Sequence, residues 1–263
     1  MHSLPLILVI NLSRDKERWQ KISAALTAAG LPFMRVRAID ARRKITLVRK
    51  LIPRSFFSAT LGRALSPGEC CCSLSHIAAL KRIVRTQAPM AMVFEDDAEF
   101  DARLERLIRE DLPKYLARCD IVKLEGIEYD YTSKRGPILA RGRDSNLIIP
   151  MRPTLGSAAY GVTSKGARRL ITAISTLSDP LDHMLCYYDR HGISYGEVRP
   201  FVVRQAATGS GLDKDRNVLN VAAPPSPPAG SGLVARLMRG ATRFMITARV
   251  VAAARFRDSF PAK

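Results

Sequence analysis

Short, wholly apolar runs that alternate with helix-patterned segments are the feature that most restricts how this chain can fold. Leu4–Ile10 and Met90–Phe94 have the length and continuity of strands covered on both faces. After the first run, Ser13 is placed to cap a helix in which Trp19, Ile22, Leu26 and Ala29 recur at helical spacing, and Gly30 ends it. Phe33–Arg37 reads as a second strand. Ser66-Pro67-Gly68-Glu69 has the form of a capping box with proline at the first helical position, opening a helix that runs toward Arg85. Further on, Asp101–Leu112 is helical in pattern, Ile121–Leu124 is strand-like, and Ser164–Ile174 carries Leu170, Ile171 and Ile174 on one helix face. This alternation predicts an α/β fold with a mainly parallel sheet, in which ligands bind beyond the carboxyl ends of the strands.

The bulk properties agree with a folded enzyme-sized body. At 263 residues the chain can bury roughly three-quarters of its unfolded surface, so neither a metal nor disulfides are needed to hold it together. Its 47% hydrophobic and 25% charged residues exclude a disordered chain. No apolar run approaches the ~20 residues of a membrane-spanning helix. The opening apolar run lacks the basic region and small-residue cleavage site of a signal peptide. Five cysteines, three of them adjacent at Cys70, Cys71 and Cys72, do not make a disulfide framework and point to a reducing cytosol.

A formal net charge of +18 calls for an anionic partner. The charge is concentrated in two places, Arg35–Arg54 and the region after Leu233. Between the body and that second region lies Val221–Gly232, VAAPPSPPAGSG, a proline-rich stretch that reads as an extended linker. The expected organisation is therefore a catalytic body at residues 1–220, a linker at 221–232 and a basic tail at 233–263. In the tail, Leu233, Leu237, Met238, Ala241, Phe244 and Met245 recur at three- and four-residue steps, while Arg236, Arg239, Arg243 and Arg249 take most of the remaining wheel. Such an amphipathic helix suits an anionic membrane surface, so residues 233–257 are expected to hold the protein peripherally on the inner face of the membrane. A helix that packs on the body or dimerises is the alternative.

Candidate chemistry centres on Glu95-Asp96-Asp97, which follows the Met90–Phe94 strand at once. Three consecutive acids repel one another, and a bound hard cation offsets that repulsion. Magnesium or manganese held by one or two carboxylates, with substrate phosphates completing the sphere, fits the pattern. A solvated acidic turn is the other reading. A second group is Gly68-Glu69-Cys70-Cys71-Cys72-Ser73-Leu74-Ser75-His76, in which His76 can ligate a metal, donate to a phosphate or sit in the core. Zinc bound by the cysteine triplet is rejected, because consecutive residues fan outward whereas zinc ligands converge from spaced positions. In Thr154–Gly161, small residues including Gly156 let backbone approach a ligand closely. Finally, Asp182 beside His183 can serve as a general base or merely cap a first helical turn.

In order, Ile10-Asn11-Leu12 with Arg18, Gly68-Glu69 with Cys72 and Ser75-His76, Glu95-Asp96-Asp97, Gly156-Ser157-Ala158-Ala159-Tyr160, Asp182 and Pro200–Gln205 resemble glycosyltransferase family 25. These are the lipooligosaccharide galactosyltransferase-like proteins, and the resemblance runs from residue 4 to about residue 216. It implies a GT-A-type fold, a nucleotide-sugar donor such as UDP-galactose, Mn²⁺ (or Mg²⁺), and inversion at the anomeric carbon. It places Asn11, Leu12 and Arg18 at the nucleotide, Ser75, His76 and Gly156 near the donor, Glu95 beside the metal, and Asp96 and Asp97 on it. Asp182 falls where an acceptor base is expected, and Gln205 stands where many GT-A enzymes have a late histidine ligand. The acceptor implied is a glycolipid or glycan. Two other readings stand beside this one: the same fold with another sugar donor, and a non-catalytic basic module for nucleic acid or polyphosphate. No nucleic acid is expected, since the body has no recognisable nucleic-acid motif and aromatics are only 6%, too few for a stacking platform.

Overall fold

The computed structural model describes residues 4–43, 57–58, 63–126, 136–150, 153–186 and 191–206. The linker and amphipathic tail expected at residues 221–263, and the basic positions from Lys44 to Arg54, lie outside these. In chain order the elements begin with β1 (Leu6–Asn11), α1 (Lys16–Ala28) and β2 (Met34–Arg37), then the short strands β3 (Phe57–Ser58) and β4 (Arg63–Ala64), α2 (Pro67–Arg85), β5 (Met90–Glu95) and β6 (Ala98–Phe100). A helical stretch follows as α3 (Arg103–Arg106), a wide π turn (Leu107–Asp111) and α4 (Leu112–Leu116). The widening falls just before Pro113, which has no amide hydrogen to donate to the preceding turn. Then come β7 (Ile121–Lys123), β8 (Ile138–Arg141), β9 (Asn146–Ile148), β10 (Ala159–Thr163), α5 (Ser164–Ile174), α6 (Leu181–Cys186), β11 (Tyr195–Arg199) and β12 (Val203–Gln205).

Eight strands form one sheet in the order β2-β1-β5-β10-β7-β11-β9-β8. β2, β1 and β5 run parallel, β10 is reversed, β7 and β11 run parallel to each other, β9 is reversed and β8 turns back. Six of the eight strands therefore point the same way, which is the mainly parallel α/β sheet expected. Successive side chains on β1 and β5 go to opposite faces and are buried on both. Ile7, Val9, Met92 and Phe94 join Ile22 and Leu26 of α1 and Leu107 and Leu112 on one face. Leu8, Ile10, Ala91 and Val93 join Ile77, Leu80 and Ile83 of α2 and Leu170 and Ile174 of α5 on the other.

The two parallel pairings align the strand ends. Leu8 stands opposite both Met34 and Val93, and Ile10 stands opposite both Val36 and Glu95, so β2, β1 and β5 finish together on one side of the sheet. A small β6–β12 ladder is placed just beyond β5 and brings Gln205 opposite Ala98.

Several sequence expectations need correction. Ser13 does not cap α1: the residue at that position is Asp15, with no side-chain capping bond, and the chain reaches the helix through a turn in which the Asp15 amide donates to the Leu12 carbonyl at 3.0 Å. The third helical stretch continues past Leu112 to Leu116. Ala159–Thr163 is a reversed central strand and not merely a small-residue lead into α5, and neither β11 nor the β8–β9 hairpin was anticipated.

The α2 start is as expected in full. Ser66 Oγ accepts from the Glu69 amide at 3.2 Å, the Glu69 carboxylate accepts from the Ser66 amide at 2.7 Å, and Pro67 opens the helix. Ser66→Ala should lower stability by about 1 kcal/mol in chemical denaturation, the usual loss for a capping hydroxyl. An unchanged midpoint and slope would show that the cap contributes nothing here.

Candidate active site

Because β1 and β5 end side by side, Asn11 and the Glu95–Asp97 turn meet at the carboxyl side of the sheet. The Asn11 amide donates to Asp96 Oδ2 at 2.6 Å and to the Asp15 carbonyl at 3.1 Å, while its own carbonyl oxygen accepts from Arg35. Arg18, one turn into α1, places Nη1 at 3.4 Å from both Asp96 Oδ1 and Asp97 Oδ2. From the opposite side Gln205 Nε2 donates to Asp97 Oδ2 at 3.1 Å, and the Ala206 amide holds the Asp97 carbonyl at 2.8 Å. Gln205, which stands where many GT-A enzymes have a late histidine, thus touches the triplet through Asp97.

The three acids are not equivalent. Burial works to raise Glu95, but hydrogen bonding and charge from His76, together with the Ser157 hydroxyl, hold it below the usual carboxylate range. His76 Nε2 lies 3.2 Å from Glu95 Oε1 and Ser157 Oγ donates to the same oxygen at 2.5 Å. Asp96 is raised by burial, against the pull of Asn11 and Arg18. Asp97 is pushed up to about 7, by burial first and by the Glu95 charge second. Its Oδ1 is buried and has no hydrogen-bond partner among the described residues. An orphaned carboxylate oxygen beside a second carboxylate is a hard-oxygen donor set, so Asp96 and Asp97 fit a divalent magnesium- or manganese-type cation. Glu95, engaged by His76 and Ser157, stands beside that pair.

These groups line a cleft whose other walls include Leu12, Arg14, Ile39, Gly68, Cys72 and Ser75. Ser75 acts as a brace there: its hydroxyl donates to the Cys71 carbonyl at 2.6 Å and accepts from the Ile39 amide at 2.8 Å, tying α2 to the segment after β2. His76 is fully buried, with Nδ1 at 3.0 Å from Tyr160 Oη. Three expected site residues do not line the cleft: Asn11, which is buried beneath it and holds Asp96, Gly156 and Asp182. Gly156 has φ +106°, and a Cβ there would collide with the Glu125 carboxylate, so its immediate service is to that side chain. Asp182 lies in the first turn of α6, accepting from the His183 amide at 3.0 Å.

Glu125 stands outside every motif quoted above, while Ser157 and Tyr160 lie in the Gly156–Tyr160 motif but are assigned no role by it. Glu125 follows the strand-like Ile121–Leu124 segment as Glu95 follows Met90–Phe94, so the same strand-then-acid pattern could have found it, although Lys123 interrupts the apolar character of that segment. Both of its carboxylate oxygens are buried without hydrogen-bond partners among the described residues. Burial, with the Glu95 and Asp97 charges added, pushes it up to about 7 against the opposing charge of Lys123. The pairing of Tyr160 with His76 has no local sequence signal, because it spans 84 positions.

A family model for glycosyltransferase family 25 (LPS biosynthesis protein) matches residues 5–185, and the chain belongs to that family. Among curated relatives, probable inactive glycosyltransferase 25 family member 3 of Rattus norvegicus is 26% identical over 201 residues, 70% of this chain and 33% of that protein. Procollagen galactosyltransferase 1-A of Xenopus laevis is 26% identical over 200 residues, 72% of this chain and 32% of that protein. The chain spans about a third of the length of these relatives. Among solved structures, a glycosyltransferase involved in glycosylation of the major capsid of PBCV-1 aligns over 83% of this chain and all of its own, at 8% identity and TM-score 0.43. No helix of the described residues is long and apolar enough to cross a membrane.

Glu125 supplies a pH test. Its folded-state value of about 7 lies above the ordinary 4.5, so the native state retains a proton that the unfolded chain releases between those values. Stability from this group therefore falls as pH rises from about 4.5 to 7 and stays low above that. Glu125→Gln should be more stable than the parent at pH 8 by up to about 3 kcal/mol, with the difference closing below pH ~4.5. A difference independent of pH would contradict this assignment.

Proposed function

We propose that the protein transfers a sugar from a nucleotide-sugar donor to a glycan or glycolipid hydroxyl, with UDP-galactose the first donor to test. The observation that carries the proposal is the Asp96–Asp97 pair at the aligned ends of β1 and β5, with a buried Asp97 oxygen that has no partner among the described residues. Family membership agrees with it. Asp96 and Asp97 would hold a divalent cation, Mn²⁺ or Mg²⁺, which when bound supplies positive charge to the donor's diphosphate. Asn11 fixes the Asp96 carboxylate by a direct hydrogen bond, and Arg18 offers a guanidinium beside both acids. That cationic group can also meet negative charge developing on the departing diphosphate. Leu12 and the start of α1 form the wall against which the nucleotide would lie. Asp182, on α6, is proposed to take the acceptor hydroxyl's proton during attack from the opposite face, giving inversion.

Asp97→Asn removes a ligand charge and almost no volume. It should abolish turnover and Mn²⁺-dependent nucleotide binding while leaving the circular dichroism spectrum unchanged; wild-type activity in this variant would remove the metal role. Asp182→Asn should slow the chemical step by roughly 10²–10⁴-fold with donor affinity little changed. If it instead lost donor binding and kept its rate at saturating donor, Asp182 would belong to the nucleotide site.

The acceptor class connects to the basic tail. Residues 233–257 are proposed to bind an anionic membrane surface, supported by the spacing of their apolar and arginine residues. The full chain should co-sediment with anionic vesicles and a chain ending at Val221 should not. Equal sedimentation of both would move the contact to the body.

A further inference from the structure

Cys72, His76 and Glu95 bring a thiol, an imidazole nitrogen and a carboxylate oxygen within 4.8 Å of one another. All three residues line the cleft, so an ion has a path to them. Cys72 and His76 are four residues apart on α2, which places them one turn apart on one helix face. Glu95 approaches from the end of β5. We propose that Cys72, His76 and Glu95 form a second metal site, one for a thiophilic divalent cation of the zinc class, separate from the Asp96–Asp97 pair.

Sulfur, imidazole nitrogen and carboxylate oxygen together are a zinc donor set, and three protein ligands leave one position open toward the cleft. Ligands at ~2.0–2.3 Å from a tetrahedral zinc lie roughly 3.3–3.8 Å apart. The 3.2 Å between His76 Nε2 and Glu95 Oε1 is already close to that spacing. The thiol, within 4.8 Å of both, needs to approach by about 1 Å, a small side-chain adjustment.

The supporting contacts are those a ligand set requires. With Nε2 on the metal, His76 Nδ1–H faces an acceptor, Tyr160 Oη, at 3.0 Å. Tyr160 also stacks on the imidazole, with ring centroids 5.7 Å apart, which fixes the ring plane. The Glu95 carboxylate is oriented in turn by Ser157 Oγ at 2.5 Å. Burial first, and then the charges of Glu95, Asp182, Asp97 and Glu69, push the Cys72 thiol up, so an entering dication must displace its proton, and those same charges offer that dication a negative field. Only the third residue of the cysteine triplet takes part: Cys70 and Cys71 are buried in a small apolar cluster with Ala41 and Leu65. The objection to zinc on three consecutive cysteines therefore stands, while one of them joins a histidine a turn later and an acid from the sheet.

The test is cobalt(II) titration of the metal-free full chain, read by thiolate-to-cobalt charge-transfer absorption, followed by Zn²⁺ displacement. The parent should show the band at one equivalent and lose it as Zn²⁺ is added. Cys72→Ser should abolish the band and weaken Zn²⁺ at least ~100-fold, whereas Cys70→Ser should retain both. Tyr160→Phe, which removes only the orienting hydroxyl, should weaken Zn²⁺ by roughly 10–100-fold. Asp97→Asn should leave the band intact, since the two sites are separate. No band in the parent at one equivalent, a band that survives Cys72→Ser, or a band lost with Asp97→Asn would each overturn the proposal. Because the readout needs neither donor nor turnover, it stands or falls apart from the transfer reaction.

Discussion

Parallel pairing of β1 with β5, with Ile10 set opposite Glu95, carries two segments 85 residues apart to the same point on the sheet. Asn11 can then reach Asp96, and α1, which starts just beyond β1, can lay Arg18 across both aspartates. A register slip of one residue on β5 would turn Met92 and Phe94 from the α1 side to the α2 side and move the acidic turn with them. Two-sided burial of the strands therefore fixes the site geometry as well as the core. The same packing explains why the cleft lies where it does: β2, β1 and β5 end together there, between α1 and α2.

Holding acids at this point has an electrostatic cost that the surrounding residues distribute unevenly. Glu95 is relieved by His76 and Ser157, and Asp96 by Asn11 and Arg18. Asp97 keeps a buried oxygen with no donor among the described residues, despite Gln205 and Arg18 on its other oxygen. Farther along the sheet, Glu125 is buried behind Gly156, its carboxylate oxygens without hydrogen-bond partners among the described residues. The site is thus poised for positive charge, and a net basic chain is well suited to draw an anionic donor toward it.

Local sequence determined what was legible. The β5 run, the Ser66 capping box, the Ser164–Ile174 helix and the acidic triplet are readable because each is specified within a few consecutive residues. Ser13 misled because several polar residues precede α1 and the choice among them depends on the turn closed by Leu12 and Asp15. β10 was missed because Ala159-Tyr160-Gly161 has neither strand-like alternation nor bulk; Gly161 is needed where Leu112 and Met92 press against the strand. The His76–Tyr160, Glu95–Ser157 and Glu125–Gly156 contacts are long-range, set by sheet order, and no spacing in a single sequence exposes them. The acidic triplet and its cleft neighbours Leu12, Arg18, Ser75 and His76 were thus legible as a group, while the contacts that set their charge were not.

The central claim is that Asp96 and Asp97, at the joined ends of β1 and β5, hold the cation that meets a donor's diphosphate. Paramagnetic broadening by Mn²⁺, mapped residue by residue by NMR on the full chain with a nucleoside diphosphate present, tests it most directly. Broadening should centre on Asp96 and Asp97, reach Asn11, Arg18 and Gln205, and strengthen with the nucleotide. Broadening centred away from the ends of β1 and β5, or unchanged by the nucleotide, would contradict it.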